Sequence, residues 1–174
     1  MQTIKLYIYK KNLDLDCMSA SEAIKHFMHK DKLVHLQRFL CWHIQVASEL
    51  SKEAIIETLT TNTYLLLNPN KEAYFIDELP QKQSSNTSVH VSVKSTLKAE
   101  YPELAETLTA KCGLPISRLE KSIEWLCQVA IPDAEKATAY VEQELLNTTS
   151  YSQGILVNPI YEQYSIKENS LQHS

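Results

Sequence analysis

The sequence predicts an α+β protein built from two related β-α-β-α-β units in tandem. Short segments that alternate apolar and polar residues are typical of strands, and segments with helical spacing separate them. The stretch that holds Trp42 and Asn68-Pro69 also recurs as the stretch that holds Trp125 and Asn158-Pro159. Such a recurrence of order and residue type favours an internal duplication.

A polar connector separates the two copies. Residues 80–88 read Pro-Gln-Lys-Gln-Ser-Ser-Asn-Thr-Ser and contain no apolar anchor. Such a composition is typical of an exposed linker. We therefore expect four segments: repeat 1 over 1–79, a linker over 80–88, repeat 2 over 89–167 and a polar tail over 168–174.

The first repeat begins with a strand, because Ile4 to Tyr9 alternates apolar and polar positions. A helix should follow from Ser19 to about Lys30, with Ser19 and Glu22 as a capping box. The segment Leu33 to Ala47 is rich in β-forming residues and is long enough for one bent strand or two paired strands. Between these alternatives we expect two paired strands.

A second helix and a closing strand complete this repeat. Ser51 to Leu59 carries a helical start signal and apolar residues at helical spacing. Pro69 forces a turn, after which Ala73 to Ile76 re-extends as a strand.

The same order of elements is predicted for the second repeat. Val89, Val91 and Val93 indicate a strand, and Leu104 to Gly113 indicates a helix with a glycine end. Ser122 to Ile131 is typical of a β segment, and a helix begins near Pro132 with acidic residues in its first turn. Two such units, each with one apolar sheet face, would pack those faces together as an intramolecular pseudo-dimer with the helices outside.

Composition excludes several function classes. The 174 residues are 44% hydrophobic and 22% charged, with a net charge of −4, which is unlike a nucleic-acid-binding protein. The chain has only two glycines, so no phosphate-binding loop of clustered glycines can form. No apolar stretch is long enough to cross a membrane, and no signal peptide is evident. We therefore expect a cytoplasmic protein whose four cysteines are reduced.

The residues offer little catalytic chemistry. His26 and His29 with Asp31 could hold a metal, but a third and fourth ligand are not evident, and a solvated helix end explains them better. Cys41 and Cys127 have no cationic neighbour in sequence that would activate a thiol. The sequence therefore predicts no catalytic, cofactor-binding or metal-binding residue.

Aligning the two copies defines ten structural or interface candidates. Glu72 and Glu162 are either equivalent polar contacts at a pseudo-twofold interface or solvated strand ends, and the sequence leaves both alternatives open. The ten candidates are Trp42, Asn68, Pro69, Glu72, Tyr74, Trp125, Asn158, Pro159, Glu162 and Tyr164.

The tail motif of each copy resembles that of the PurS family, which includes the small subunit of phosphoribosylformylglycinamidine synthase and the related N-terminal domain of its single-chain form. The family ends on a Leu-x-Asn-Pro-x-x-Glu-x-Tyr-like segment, found here at residues 155–166 and more loosely at 65–76. The opening strand and the order of elements are also similar. The glycine-containing loop that follows strand one in the family is replaced by Asn12 to Met18.

The resemblance implies a non-catalytic PurS-like subunit or N-terminal domain of phosphoribosylformylglycinamidine synthase, a C–N ligase complex of purine biosynthesis. Its role would be to bridge the ATP-dependent synthetase and the glutaminase. The complex would use ATP, Mg and glutamine, whereas this chain would bind no cofactor itself. Its partners would be the synthetase (PurL-type) and glutaminase (PurQ-type) proteins or domains, with no nucleic acid and no membrane. Because a fold does not dictate a function, a small-molecule-sensing or assembly module is the alternative.

Overall fold

The computed structural model describes residues 1–80, 84–146 and 155–167. The strands in these ranges are β1 (Gln2–Lys10), β2 (Leu33–Val46), β3 (Glu72–Ile76), β4 (Thr87–Ser95), β5 (Ile116–Val129) and β6 (Glu162–Lys167). The helices are α1 (Leu15–Glu22), α2 (Lys52–Asn62), α3 (Pro102–Cys112) and α4 (Ala134–Tyr140). The π-helical turns Ala23–Phe27 and Val141–Leu146 continue α1 and α4.

The six strands form one antiparallel sheet in the order β3-β1-β2-β5-β4-β6. The predicted α+β class is therefore confirmed. The outermost strands, β3 and β6, begin at the glutamates of the two tail motifs, whose Asn-Pro pairs lie in the preceding loops.

The chain divides into two compact units that do not follow the order of the sequence repeats. Strands β2 and β5 each contribute residues to both units, while α1 belongs to unit 2 and α3 to unit 1. The predicted repeat boundaries concern the duplication of the sequence and stay a prediction. Among the described residues, unit 1 comprises residues 1–13, 39–80 and 98–122, and unit 2 comprises residues 14–38, 84–97, 123–146 and 155–167.

The core of unit 1 lies between its helices and one face of β1 and β2. Helix α2 begins after Ser51, whose side chain accepts a hydrogen bond from the Ala54 N–H at 3.2 Å. Its apolar stripe, including Ile55 and Leu59, is fully buried. Leu108 of α3 is fully buried in the same cluster.

The core of unit 2 is built in the same way from other segments. Val91 of β4 and Val129 of β5 are fully buried together with Leu145. Ile24, from the π-helical turn that continues α1, completes the cluster although it belongs to the first sequence repeat.

Two local predictions were wrong. The first helix begins at Leu15, because Asp14 caps it by accepting from the Cys17 N–H at 3.1 Å. Ser19 therefore lies inside the helix, and no capping box starts there. The segment predicted as two strands is the single strand β2, since it contains no glycine or proline at which the chain could turn.

Matched positions in the two units have matched partners. Leu6 pairs with Trp42 on one side and with Ile76 on the other. Val91 pairs in the same way with Trp125 and Ile166. The order of buried and exposed positions along β2 is also repeated along β5. The two tryptophans thus occupy equivalent positions.

In the described ranges, no helix combines the length and the apolar character that a membrane crossing requires.

Candidate functional site

The Asn-Pro motif of the first copy forms a closed loop before β3. The Asn68 N–H donates to Oε2 of Glu72 at 2.9 Å, and the Asn68 carbonyl accepts from the Glu72 N–H at 2.8 Å. The side chain of Asn68 accepts from the Asn70 N–H at 3.1 Å, and Pro69 fixes the backbone torsion between them. The motif therefore stabilises its own turn.

The second copy repeats these bonds before β6. The Asn158 N–H donates to Oε2 of Glu162 at 2.7 Å, and its carbonyl accepts from the Glu162 N–H at 2.8 Å. Oδ1 of Asn158 accepts from the Ile160 N–H at 3.0 Å. Both glutamates hold the loop of their own copy, a role that the sequence analysis missed although the repeated Asn-Pro-x-x-Glu spacing carries its signal.

Lysines surround the first of these loops. Lys10 forms an ion pair with Glu72, and the Lys11 ammonium donates to the Pro69 carbonyl at 2.6 Å. Burial raises the pKa of Glu72, but the Asn68 N–H and Lys10 outweigh it, so the pKa is lowered overall. Glu72 is therefore held as a carboxylate.

Trp42 packs in unit 1 against aromatic and cationic neighbours. Its ring meets the Tyr101 ring edge-on, with centroids 5.2 Å apart. The Lys121 ammonium lies 5.8 Å from the Trp42 ring centroid, a cation–π geometry. The side chain is only 5% exposed, so Trp42 is a packing residue.

Trp125 is the equivalent packing residue of unit 2. The Arg38 guanidinium lies 5.9 Å from its ring centroid, and Nη1 of Arg38 is 3.6 Å from Oδ2 of Asp14. Within the described ranges, the buried indole nitrogens of Trp42 and Trp125 have no hydrogen-bond partner.

The two motif tyrosines differ in their surroundings. Tyr74 packs partly buried against the core of unit 1. The Tyr164 hydroxyl donates to Oε1 of Glu142 at 3.1 Å. Burial, and then the bond to the Glu142 carboxylate, raises the pKa of Tyr164.

A buried charge network in unit 2 was not foreseen from the sequence. Glu124 is fully buried, and its Oε2 lies 2.5 Å from Nε2 of His90 and 2.9 Å from Nζ of Lys167. Its Oε1 accepts from the Ser92 hydroxyl at 2.8 Å. The sequence did contain an indication of this network, because the acidic Glu124 lies between the apolar Ile123 and Trp125 in a predicted strand. These bonds compensate the burial of a charge, which is costly when left alone.

In unit 1, Tyr7 and Cys41 occupy the positions of Ser92 and Glu124, whereas the charged residues Lys5 and Asp77 occupy those of His90 and Lys167. Tyr7 pairs with Cys41 and Phe75, whereas Ser92 pairs with Glu124 and Ser165. The Phe75 ring stacks on Tyr9 with centroids 5.1 Å apart. The residues on this sheet face therefore differ between the two units, although Leu6 and Val91 on the other face have matched partners.

Burial keeps the thiols of unit 2 protonated. Burial raises the pKa of Cys127 to about 12 and, together with Asp14, raises that of Cys17 to about 11. All four cysteines are thiols in the structure.

We assign no metal ion to the Glu124 network. Glu124 and His90 are residue types that bind metals, but Lys167 and Ser92 already donate hydrogen bonds to the two carboxylate oxygens of Glu124.

The fold and these sites together define an α+β protein with a six-stranded antiparallel sheet. No protein-family model matches the chain, and neither a curated protein nor a solved structure matches it significantly.

Proposed function

We propose that this chain is a cytoplasmic, non-catalytic PurS-like component of phosphoribosylformylglycinamidine synthase that bridges the ATP-dependent synthetase and the glutaminase. The observation that carries the proposal is the Asn-Pro-x-x-Glu loop, which forms the same three hydrogen bonds in both copies. This loop is the motif on which the resemblance to the PurS family rests, and its repetition supports two PurS-like units in one chain.

We also infer that the two repeats pair as an intramolecular pseudo-dimer with the helices outside. The composition of the units supports this arrangement, because each unit contains a helix from the opposite sequence repeat. The matched partners of Leu6 and Val91 give further support.

A bridging role needs complementary surfaces rather than a nucleophile and a base. The tryptophans and loop glutamates are engaged in packing and local bonds, which suits a scaffold. The alternative role in ligand sensing needs polar groups directed at a ligand. The buried polar cluster described above directs its donors at Glu124 instead, so the bridging role is better supported.

The test is reconstitution with the two partner proteins. The purified chain is mixed with the synthetase and the glutaminase in the presence of glutamine and ADP, and the assembly is followed by sedimentation velocity. We expect a complex that contains all three proteins. If the chain sediments alone under these conditions, the proposal fails.

A kinetic measurement separates bridging from mere association. A bridge should raise product formation when glutamine supplies the ammonia, because it brings the glutaminase to the synthetase. It should leave the rate unchanged when saturating ammonium salt replaces glutamine. The control reaction omits the chain. Equal rates with and without the chain in the glutamine assay would rule out the bridging role.

A further inference from the structure

The loop corner of unit 2 exposes apolar side chains that its counterpart in unit 1 lacks. The Thr96 N–H donates to the Tyr161 carbonyl at 2.7 Å, which brings the end of β4 beside the loop before β6. Leu97 is 79% exposed, Ile160 is 77% exposed and Tyr161 is 42% exposed. We call these three residues the apolar corner.

Unit 1 supplies an internal control for this corner. The Lys11 N–H donates to the Lys71 carbonyl at 2.9 Å, so Lys11 and Lys71 match Thr96 and Tyr161. Asn12 therefore matches Leu97, and Asn70 matches Ile160 because each N–H donates to the motif asparagine. The same backbone hydrogen bonds thus form in unit 1, where Asn, Asn and Lys occupy the positions of the three apolar-corner residues. The apolar side chains are not needed for the loop to fold.

The matched corners of the two units also differ in charge. In unit 1 the loop carboxylate of Glu72 has Lys10, Lys11 and Lys71 around it. The matching positions in unit 2 are Ser95, Thr96 and Tyr161, as the pairing of Ser95 with Glu162 shows. The corner is therefore basic and polar in unit 1, whereas in unit 2 it is apolar and lies beside the carboxylate of Glu162.

The charge beside the corner argues against a second copy as its occupant. Symmetric pairing of two such corners would bring two Glu162 carboxylates together, and like charges across an interface are unfavourable. Exposed apolar side chains with an aromatic member are typical of the centre of an interface with another protein. A carboxylate at the edge favours basic residues on that protein.

We propose that the apolar corner is the docking surface for one protein partner whose contact site is an apolar pocket edged by lysine or arginine. The identity of that partner as a member of the synthetase complex rests on the function proposed above. The described residues contain this corner once, so we expect one partner molecule per chain.

The first test exchanges the corner residues for those of the matched corner. The variant Leu97→Asn/Ile160→Asn/Tyr161→Lys should fold normally, because the same residue types already support the matched loop. Its affinity for the synthetase or the glutaminase, measured by isothermal titration calorimetry, should fall at least about tenfold. The control Asn70→Ala/Lys71→Ala should bind as the wild type does. Unchanged affinity of the corner variant for both proteins would overturn the proposal.

A second arm separates this proposal from the proposed function. A photo-crosslinking amino acid is placed at position 160, or at position 70 as the control, and the full chain is irradiated in its source cells. If the wild-type chain binds neither synthetase nor glutaminase, the proposed function fails. The corner is then still supported by a crosslink from position 160 to one other protein, provided that the purified protein binds the wild-type chain and not the corner variant.

The remaining outcomes contradict the corner proposal. A crosslink to a second copy, equal crosslinking from positions 160 and 70, or no crosslink from position 160 would each do so.

A separate variant, Ser95→Lys/Thr96→Lys, tests whether the edge of the partner's pocket is basic. It introduces at the apolar corner the lysines that occupy the matched positions in unit 1. It should weaken binding, and tighter binding would show that the pocket edge is not basic.

Discussion

Oε2 of Glu124, a fully buried carboxylate, accepts a hydrogen bond from Nζ of Lys167 at 2.9 Å. The bond joins β5 to β6 across β4, which lies between them in the sheet. This ionic interaction therefore links the outermost strand, β6, to β5 in the interior of the sheet.

Removing Lys167 should destabilise the protein. The variant Lys167→Met leaves the buried carboxylate with less compensation and should lower the free energy of unfolding by about 1–3 kcal/mol. The double variant Glu124→Leu/Lys167→Met should cost less than the sum of its single variants, because no charge is left buried. Urea unfolding measures all three. Additive effects would show that the two residues are not coupled.

Loss of the Glu72 carboxylate should matter most near neutral pH. The pKa of Glu72 is lowered in the folded chain, so its contribution is present above the ordinary pKa of glutamate, about 4.3, and is lost as pH falls through the folded pKa. Glu72→Gln should cost about 1 kcal/mol at pH 7. The difference from wild type should shrink in acid.

The measurement is urea unfolding at pH 7 and at several acidic pH values. Glu78→Gln is the matched control, since Glu78 lies after β3 and outside the loop. A difference between wild type and Glu72→Gln that is constant with pH would contradict the assignment of the effect to the carboxylate.

The stability of the protein should depend on the volume of the Trp42 ring more than on its indole nitrogen. Trp42→Ala removes a buried ring and should cost about 3–5 kcal/mol. Trp42→Phe should cost less, since it also removes a buried donor that has no partner among the described residues. Thermal unfolding followed by circular dichroism gives the ranking, and equal costs for the two variants would argue that the indole N–H is satisfied.

The thiols should react in an order set by burial. Cys112 and Cys17 are both partly exposed, and burial raises the pKa of each. At pH 8, iodoacetamide should modify Cys112 first and Cys17 more slowly, since Asp14 also raises the pKa of Cys17, which reaches about 11. The fully buried Cys41 and Cys127 should react only when the chain unfolds. Peptide mass spectrometry over time checks the order. Early modification of Cys127 would show that its surroundings open readily.

Local patterns predicted much of the fold. The alternation at Ile4 to Tyr9 and the Ser51 start signal mark elements that the structure contains, because neighbouring residues decide them. The start of α1 was missed, since Asp14 and Ser19 are both acceptable caps and only packing of the helix selects between them.

Contacts between segments that are distant in the sequence could not be predicted from local residue patterns. That Leu108 shares a core with Ile4 depends on how distant segments meet, and no periodicity records it. The loop role of Glu72 could have been recognised, because its spacing from Asn68 recurs in the second copy. The network of Glu124 required knowing which strand lies beside β5.

Leu108 and Leu119 complete the core of unit 1, although they lie beyond the linker in the chain. A fragment that ends at this linker would lack both residues and would have to find equivalents on another molecule. Its folding would therefore depend on protein concentration. In the 174-residue chain these segments are part of the same molecule, so the core can assemble at any dilution.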